Sequence, residues 1–292
     1  MPEGDSVWRA ARDLREVLAG HELLEADLRV PRLATADLTG RVVRDVVPRG
    51  KHLLIRFDGM VLHSHLLMDG AWKVYPSGAR RRAEPYSSGP HPSGPGARAF
   101  KGPTSSGRPR AGPYARAPER RQAGPYHQIR AVLRTEAGTA VGYRVHQLRL
   151  VADEREVVGH LGPDLLGPDW DADAAVANLA AKPERPIGEA LLDQRDLAGI
   201  GNIFKSEILF TGRTHPLTPT GRADLPVLVE IAHRLLLVNR ERPRRVTTGS
   251  AAQPLWVYGR ARRPCLRCGT PIRVAGQDDR VTYWCPRCQP AP

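Results

Sequence analysis

Four cysteines near the C-terminus constrain the fold of this chain more than any other feature of its sequence. They are the only cysteines in 292 residues, and they form two pairs, Cys265 with Cys268 and Cys285 with Cys288. Sixteen residues separate the pairs, a spacing typical of four thiolates that hold one zinc ion. Two disulfides are the alternative, but the N-terminus lacks the basic and apolar segments of a secretory signal. The spacing therefore predicts a small zinc-stabilised unit at the end of the chain.

The charge balance indicates a polyanionic partner. Lys and Arg number 44 against 31 Asp and Glu, a formal net charge of +13. Such an excess is typical of proteins that bind nucleic acid or an anionic membrane surface. No apolar run approaches the length of about 20 residues that a membrane-spanning helix requires, so a membrane is the weaker choice. We therefore expect a soluble cytoplasmic protein with no membrane partner.

The first half of the chain shows the pattern of an antiparallel sheet preceded by a helix. Apolar residues recur at helical spacing up to Gly20, and either Asp5 or Ser6 can cap the start of this helix. Short runs rich in β-branched residues follow, at 23–30, 42–47, 52–57, 61–66, 71–75, 129–134 and 139–145. Gly, Asp and Pro punctuate these runs, which predict one β domain, most simply a sandwich.

Residues 76–126 interrupt the strand pattern. Of these 51 residues, 24 are Gly, Pro or Ser and none is Leu, Ile, Val or Met. Because such a segment cannot bury enough apolar surface to offset its ordering entropy, we expect it to be disordered. Its nine Arg and one Lys against two Glu contribute +8 to the net charge. It is either a plain surface insertion, the interpretation we favour, or a basic tether that raises non-specific affinity for nucleic acid.

From residue 170 onward the pattern becomes helical. Stretches with helical character lie at 170–181, 188–193, 201–211 and 225–239. A glycine-bearing turn joins the middle two, and two helices joined in this way are a common DNA-binding device. The exposed N–H groups at the start of the second helix can hold a phosphate. A helical hairpin that serves only packing is the alternative.

Four motifs, in this order along the chain, carry a resemblance to a known family. They are MPEG at 1–4, PRGKHLLIRF at 48–57, LLDQRDLAGIGNIFKSEILF at 191–210, and the four cysteines. Together they resemble the formamidopyrimidine-DNA glycosylase and endonuclease VIII family of base-excision repair enzymes, and most closely its endonuclease VIII-like branch. The resemblance spans nearly the whole chain outside residues 76–126.

The resemblance implies an α+β multidomain fold. An N-terminal β-sandwich with an N-terminal helix would occupy residues 1–152. A helical domain with a helix–two-turn–helix would occupy residues 153–250, and a zinc-finger hairpin residues 251–292.

The resemblance also assigns catalytic chemistry to the N-terminus, where Pro and Glu by themselves would be ordinary residues. Loss of Met1 would leave Pro2 with a secondary amine that attacks C1′ of a damaged nucleotide and forms a Schiff-base-type intermediate. Glu3 beside it would move protons. Lys51, in a turn before a strand, matches the lysine that donates a proton in β-elimination. Arg280 matches the arginine that clamps the lesion phosphates and assists δ-elimination.

Further residues are implied to hold DNA and metal. Asn202 matches the asparagine that contacts the flanking phosphate, and Met68 matches the side chain that fills the gap left by a flipped-out nucleotide. His160 stands where endonuclease VIII carries a more basic phosphate contact. The cofactor would be one structural zinc ion, which leaves no open coordination position when four thiolates hold it. Its ligands would be Cys265, Cys268, Cys285 and Cys288.

Two departures from the family pattern favour oxidised pyrimidines over oxidised purines as substrate bases. The Arg-x-Phe pair that fills the void in the purine-lesion branch is not evident near 143–149. The stretch VTTGSAAQPLWVYGR at 246–260 is short where that branch carries a lesion-capping loop. The expected partner is damaged double-stranded DNA, bound by a monomer.

The favoured hypothesis is a bifunctional DNA glycosylase with AP-lyase activity that nicks the strand by β/δ-elimination. A zinc-dependent DNA-binding protein without catalysis is a second hypothesis, and it would need neither Pro2 nor Glu3. An AP-lyase that has lost base excision is a third, which the short lesion loop would permit.

Overall fold

The structure, a computed structural model, describes residues 2–77, 126–277 and 280–292. The predicted disorder of 76–126 therefore falls almost wholly outside the described residues. At its two ends the structure corrects the prediction, because Pro76 closes a strand and Tyr126 begins a 3₁₀ turn. Within the described residues, every helix is too short or too polar to cross a lipid bilayer.

Helix α1 (Gly4–Leu18) opens the chain. Its apolar residues fall on one face, and Val7, Leu14 and Leu18 are fully buried. This face packs against the two sheets described next, and the helix touches a strand of each. The N-terminal residues that precede α1 are thereby fixed to the sandwich, which positions Pro2 and Glu3.

Eight strands form two four-stranded antiparallel sheets that face each other across one apolar core. One sheet has the order β1-β6-β7-β5 and the other β2-β3-β4-β8. The strands are β1 (Glu25–Leu28), β2 (Asp45–Arg49), β3 (His52–Phe57), β4 (Met60–His65), β5 (Ala71–Pro76), β6 (Ile129–Arg134), β7 (Gly138–Tyr143) and β8 (Gln147–Val151). The sequence pattern predicted seven of these strands and missed β8. Strand β8 consists of five residues, QLRLV. The alternation of apolar and polar residues is too short there to distinguish a strand from a loop.

The helical part has its own core. It contains α2 (Arg155–Val158), α3 (Ala172–Ala180), α4 (Ile187–Ala190), α5 (Asn202–Thr211) and α6 (Leu225–Arg240). Asp171 and Asp224 cap the N-termini of α3 and α6 by accepting hydrogen bonds from backbone N–H groups. Leu165, Phe204 and Leu236 are among the fully buried side chains of this core.

The C-terminal finger is a two-stranded hairpin of β9 (Arg273–Gln277) and β10 (Arg280–Trp284) that packs on α5. A third apolar cluster joins Phe210 of α5 to Val257, Ile272 and the buried cysteines of the finger. The buried Lys205 Nζ donates to Thr282 Oγ1 over 2.6 Å. These contacts fix the start of β10, and with it Arg280, relative to the N-terminus of α5.

Candidate active site

A cavity of about 450 Å³ lies where the N-terminus, the β2–β3 turn, the β4–β5 turn, the start of α5 and the start of β10 meet. Five residues predicted for the site line it: Pro2, Lys51, Met68, Asn202 and Arg280. Segments more than 200 residues apart in the sequence therefore surround one space.

Glu3 does not line this cavity itself, but it lies next to Pro2 and Gly201, which do, and it is fully buried. Its Oε1 accepts a hydrogen bond from the Ile203 N–H at 2.8 Å, and its Oε2 accepts from the Gly201 and Phe204 N–H groups at 3.0 and 3.2 Å. These N–H groups belong to the first turn of α5, where a helix favours a negative charge. The carboxylate thus joins the N-terminus of the chain to the helix that carries Asn202.

Gly201 is necessary for this arrangement because a Cβ atom at that position would lie 2.5 Å from Cγ and Cδ of Glu3. We expect Gly201→Ala to displace the carboxylate and to lower the free energy of unfolding by about 1 to 3 kcal/mol. Gly276→Ala is the matched control, since nothing lies within 4 Å of its added Cβ. Urea denaturation of both variants measures the difference, and equal stabilities would contradict the contact.

Lys51 lies in the tight turn between β2 and β3. Gly50, which precedes it, has φ +56° and donates its N–H to Asp164 Oδ2 over 2.8 Å. Desolvation lowers the pKa of Lys51 to about 8; the nearby Glu3 opposes this shift, whereas Arg280 and Arg245 add to it. An amine with such a pKa can both hold and release a proton near neutrality.

Arg280 is exposed at the start of β10, and its Nη1 lies 3.8 Å from the sulfur of Met68. The Met68 side chain is 58% exposed, although it is apolar. An exposed apolar side chain beside a guanidinium, at the mouth of a cavity, fits insertion into a base stack.

The two remaining predicted DNA contacts differ in their surroundings. Asn202 lines the cavity but is 6% exposed, and its Nδ2 donates to the Val281 carbonyl over 2.7 Å. In this structure it ties α5 to the finger hairpin. His160 is exposed and contacts the ring of His52 edge-on, with centroids 6.0 Å apart. It is not among the residues that line the cavity.

The four cysteines converge at the base of the finger. All are free thiols, and their sulfur atoms lie within 4.8 Å of one another. The Cys268–Cys285 and Cys265–Cys288 sulfur distances are 3.4 and 4.0 Å, well beyond a disulfide bond. A tetrahedral zinc ion with Zn–S bonds of about 2.3 Å requires sulfur separations of about 3.8 Å. The cluster therefore fits zinc.

Comparisons with known proteins agree with this geometry. The formamidopyrimidine-DNA glycosylase N-terminal domain model matches residues 1–98, the formamidopyrimidine-DNA glycosylase H2TH domain model matches 161–237, and the model of a zinc finger found in FPG and IleRS matches 263–291. "Probable endonuclease 8 2" of Streptomyces coelicolor is 50% identical over 304 residues, which cover 100% of this chain and 95% of that protein. The chain belongs to the formamidopyrimidine-DNA glycosylase and endonuclease VIII family.

Two further similarities refine its place in the family. "DNA-(apurinic or apyrimidinic site) lyase Nei2" of Mycolicibacterium smegmatis is 40% identical over the full length of both chains. The Lactococcus lactis Fpg bound to DNA that contains an oxidised pyrimidine has a similar fold, with a TM-score of 0.72 at 21% identity, over 99% of this chain and 100% of that one. The relatives of higher identity place the chain in the endonuclease VIII-like branch.

Five cavity residues of this family member had not been predicted from the sequence: His65, Leu67, Leu192, Gln194 and Gly201. Gln194 fastens the loop before α5, since its Nε2 donates to the Ile200 carbonyl and its Oε1 accepts from the Gly199 N–H. Leu67 has φ +53°, a conformation that L-residues rarely adopt. The sequence could have indicated His65 and Leu67, because both lie just before Met68, the side chain predicted to fill the base position, in the motif HSHLLMDG.

Histidine rings extend from His65 away from the cavity. His52 contacts His65 edge-on, and its Nδ1 lies 2.8 Å from His63 Nε2. Desolvation, with the neighbouring histidines, lowers the pKa of His52 to about 3 and that of His63 to about 4. These rings are therefore neutral near pH 7. Among the described residues, only the four cysteines converge as a metal-binding group.

Proposed function

We propose that the protein is a bifunctional DNA glycosylase and AP-lyase of base-excision repair that removes oxidised bases, with pyrimidines favoured. The single observation that carries this proposal is the cavity that brings Pro2, Lys51 and Arg280 together above the buried Glu3. A protein that only binds DNA does not require the amine of Pro2, the ammonium of Lys51 and the carboxylate of Glu3 around one cavity.

The proposed reaction begins with the Pro2 nitrogen after Met1 has been removed. Its lone pair attacks C1′ of the damaged nucleotide, the bond to the base breaks, and the base leaves with a proton. The C1′–O4′ bond then opens as O4′ takes a proton, which leaves an iminium between the Pro2 nitrogen and C1′. The iminium acidifies the C2′ proton, whose removal breaks the C3′–O bond in β-elimination. A second elimination breaks the C5′–O bond, and water finally releases the amine.

The side chains around the cavity are suited to different steps of this reaction. Glu3, held by three N–H groups, is the proposed group that moves protons during sugar-ring opening. Lys51, with a pKa of about 8, is the proposed proton donor for β-elimination. Arg280 is the proposed phosphate clamp that assists δ-elimination. Asn202 is proposed to contact the flanking phosphate and Met68 to fill the vacated base position.

Zinc is proposed as the one cofactor, with a structural role. Cys265, Cys268, Cys285 and Cys288 would hold it, and four thiolates leave no position for a substrate. Its effect on the reaction is indirect, because the finger hairpin carries Arg280. We further propose that the protein acts inside the cell as a monomer on double-stranded DNA, since one chain supplies all five cavity-lining residues named above.

Oxidised pyrimidines are the proposed substrate class. The two relatives of higher identity bear endonuclease VIII-type and AP-lyase names. The stretch 246–260 is short, which leaves little chain for a cap over a purine lesion.

Borohydride trapping on three duplexes tests the proposal. One duplex carries an abasic site, one an oxidised pyrimidine, and one is undamaged. We expect a covalent protein–DNA band with the first two and none with the third, because reduction fixes the iminium. A band with the abasic duplex alone would indicate an AP-lyase without base excision. No band from zinc-loaded protein that still binds the duplex would overturn the proposal in favour of a DNA-binding protein.

A further inference from the structure

We propose that Arg245 is a positioning residue of the active site that balances the charge of Glu3, so that the amines of Pro2 and Lys51 lose their protons readily. The inference rests on the proposed function. Arg245 lies in the segment after α6, and its side chain is only 12% exposed. Neither the sequence motifs nor the cavity lining points to it.

The contacts of Arg245 surround the first turn of α1. Its Nε and Nη2 donate to the two oxygens of Asp5 over 2.8 and 2.6 Å, and Nη2 also donates to Ser6 Oγ over 2.9 Å. Its Nη1 lies 4.0 Å from Glu3 Oε1. Glu3 and Asp5 are both fully buried. One guanidinium thus lies against two buried carboxylates, which places a fixed positive charge directly behind Glu3.

The segment that carries Arg245 is itself fastened. The Val246 N–H donates to Asn239 Oδ1 over 2.6 Å, and Asn239 Nδ2 donates back to the Val246 carbonyl over 3.2 Å. The guanidinium also lies over the Phe204 ring of α5, 5.3 Å from its centroid. A largely enclosed guanidinium with so many partners has little freedom to move, so its positive charge stays close to Glu3.

The charges that face the cavity show why this position matters. Glu3 alone would raise the proton affinity of any amine above it, and a protonated amine cannot attack C1′. Arg280 from β10 and Arg245 from the segment after α6 oppose that effect at Lys51. His65 from β4 and His52 from β3 also face Lys51, and desolvation lowers the pKa of both histidines. The pKa of His52 is about 3, so its ring carries no charge near pH 7. Arg280 is exposed, whereas the Arg245 side chain is only 12% exposed, so solvent and salt screen its charge less.

A purely structural role is the competing explanation, and Arg9 provides the matched control for it. Arg9 also contacts Asp5 and Ser6, over 3.3 and 3.2 Å, and its side chain is 18% exposed. It does not contribute to the pKa shift of Lys51. Loss of Arg9 should therefore weaken the same network without changing the acidity of the cavity amines.

The test compares Arg245→Met, Arg245→Lys and Arg9→Met with the wild-type enzyme. The rate of borohydride trapping on the abasic duplex is measured from pH 5.5 to 9, together with the thermal midpoint. We expect Arg245→Met to move the rising limb of the profile to higher pH by about 0.5 to 1 unit, because removal of a positive charge raises amine pKa values. At acidic pH this corresponds to a rate about three- to tenfold lower, with recovery above pH 8.

The other variants separate charge from packing. Arg245→Lys should keep the wild-type profile although its thermal midpoint falls, and Arg9→Met should also lose stability without a shift. An unshifted profile for Arg245→Met, or equal shifts for Arg245→Met and Arg9→Met, would overturn the proposal. If Arg245→Met does not fold, Asp5→Asn combined with Arg245→Gln replaces both partners by neutral groups, which is less costly than leaving one charge unpaired.

A measurement of the Lys51 pKa that does not depend on catalysis tests this inference separately from the proposed function. Lysine labelled with ¹³C at Cε allows Lys51 to be titrated by NMR, with its signal assigned from Lys51→Arg. The Lys51 pKa should rise in Arg245→Met and stay in place in Arg9→Met. If the wild-type protein traps no DNA at any pH, the proposed function fails, and this titration alone still supports or refutes the role of Arg245.

Discussion

An N-terminal extension that cannot be removed is expected to abolish strand nicking and covalent trapping, with a loss of at least about a thousandfold. The extension turns the Pro2 nitrogen into an amide, whose lone pair is delocalised into the carbonyl. An amide nitrogen neither attacks C1′ nor forms an iminium. No side chain of the described structure changes, so the loss measures the chemistry of one nitrogen.

The same extension placed after Pro292 is the control, because that end of the chain is exposed. It should leave trapping unchanged. Both proteins should bind the abasic duplex, which separates lost chemistry from lost affinity. Undiminished trapping by the N-terminally extended protein would place the nucleophile elsewhere, and the buried position of Glu3 would then need another explanation.

Loss of one zinc ligand is expected to have the second largest effect. In Cys285→Ser we expect zinc to dissociate, the finger to unfold and affinity for the duplex to fall by more than about tenfold. The finger has only a small apolar cluster, centred on Phe210, Val257 and Ile272. In isolated zinc fingers metal binding supplies about 10 to 16 kcal/mol of folding free energy, so a finger with so small an apolar core should unfold when its metal is lost. The sandwich should persist, since its core is separate.

Metal analysis, tryptophan fluorescence and duplex titration measure these effects in Cys285→Ser. Arg263→Ala, at an exposed position of the same finger, is the control and should retain zinc and fold. We expect trapping by Cys285→Ser to fall as well, because Arg280 loses its position at the cavity. Unchanged zinc content and unchanged affinity in Cys285→Ser would contradict the four-thiolate site.

The secondary structure was predictable where local patterns are strong. The apolar stripe between Asp5 and Gly20 predicted a helix that the structure places at Gly4–Leu18. The strands His52–Phe57 and Ile129–Arg134 match their predicted bounds. β8 was missed because a short edge strand takes its conformation from its partner: it pairs with β4, from Val61↔Val151 to His65↔Gln147. Such pairing is a tertiary interaction.

The comparisons confirm the predicted family, its endonuclease VIII-like branch and the overall fold. The assignments of individual site residues stay predictions that the experiments above test. The order of the motifs was sufficient to identify the family, because four short motifs rarely occur together in this order by chance. In the structure Asn202 Nδ2 donates to the Val281 carbonyl, and its predicted contact with a phosphate stays a prediction.

The sequence by itself determined the chemistry available to this protein: a proline and a glutamate at the start, a lysine in a glycine turn, and four cysteines at metal-binding spacing. Each of these signals depends on residues close together in the sequence, so it can be recognised without knowledge of the fold. Only the tertiary structure decided that Glu3 caps α5, that Gly201 leaves room for it, and that Arg245 lies 4.0 Å behind it. Those contacts join residues about 200 or more positions apart, and Coulomb interactions depend on distance in space rather than along the chain.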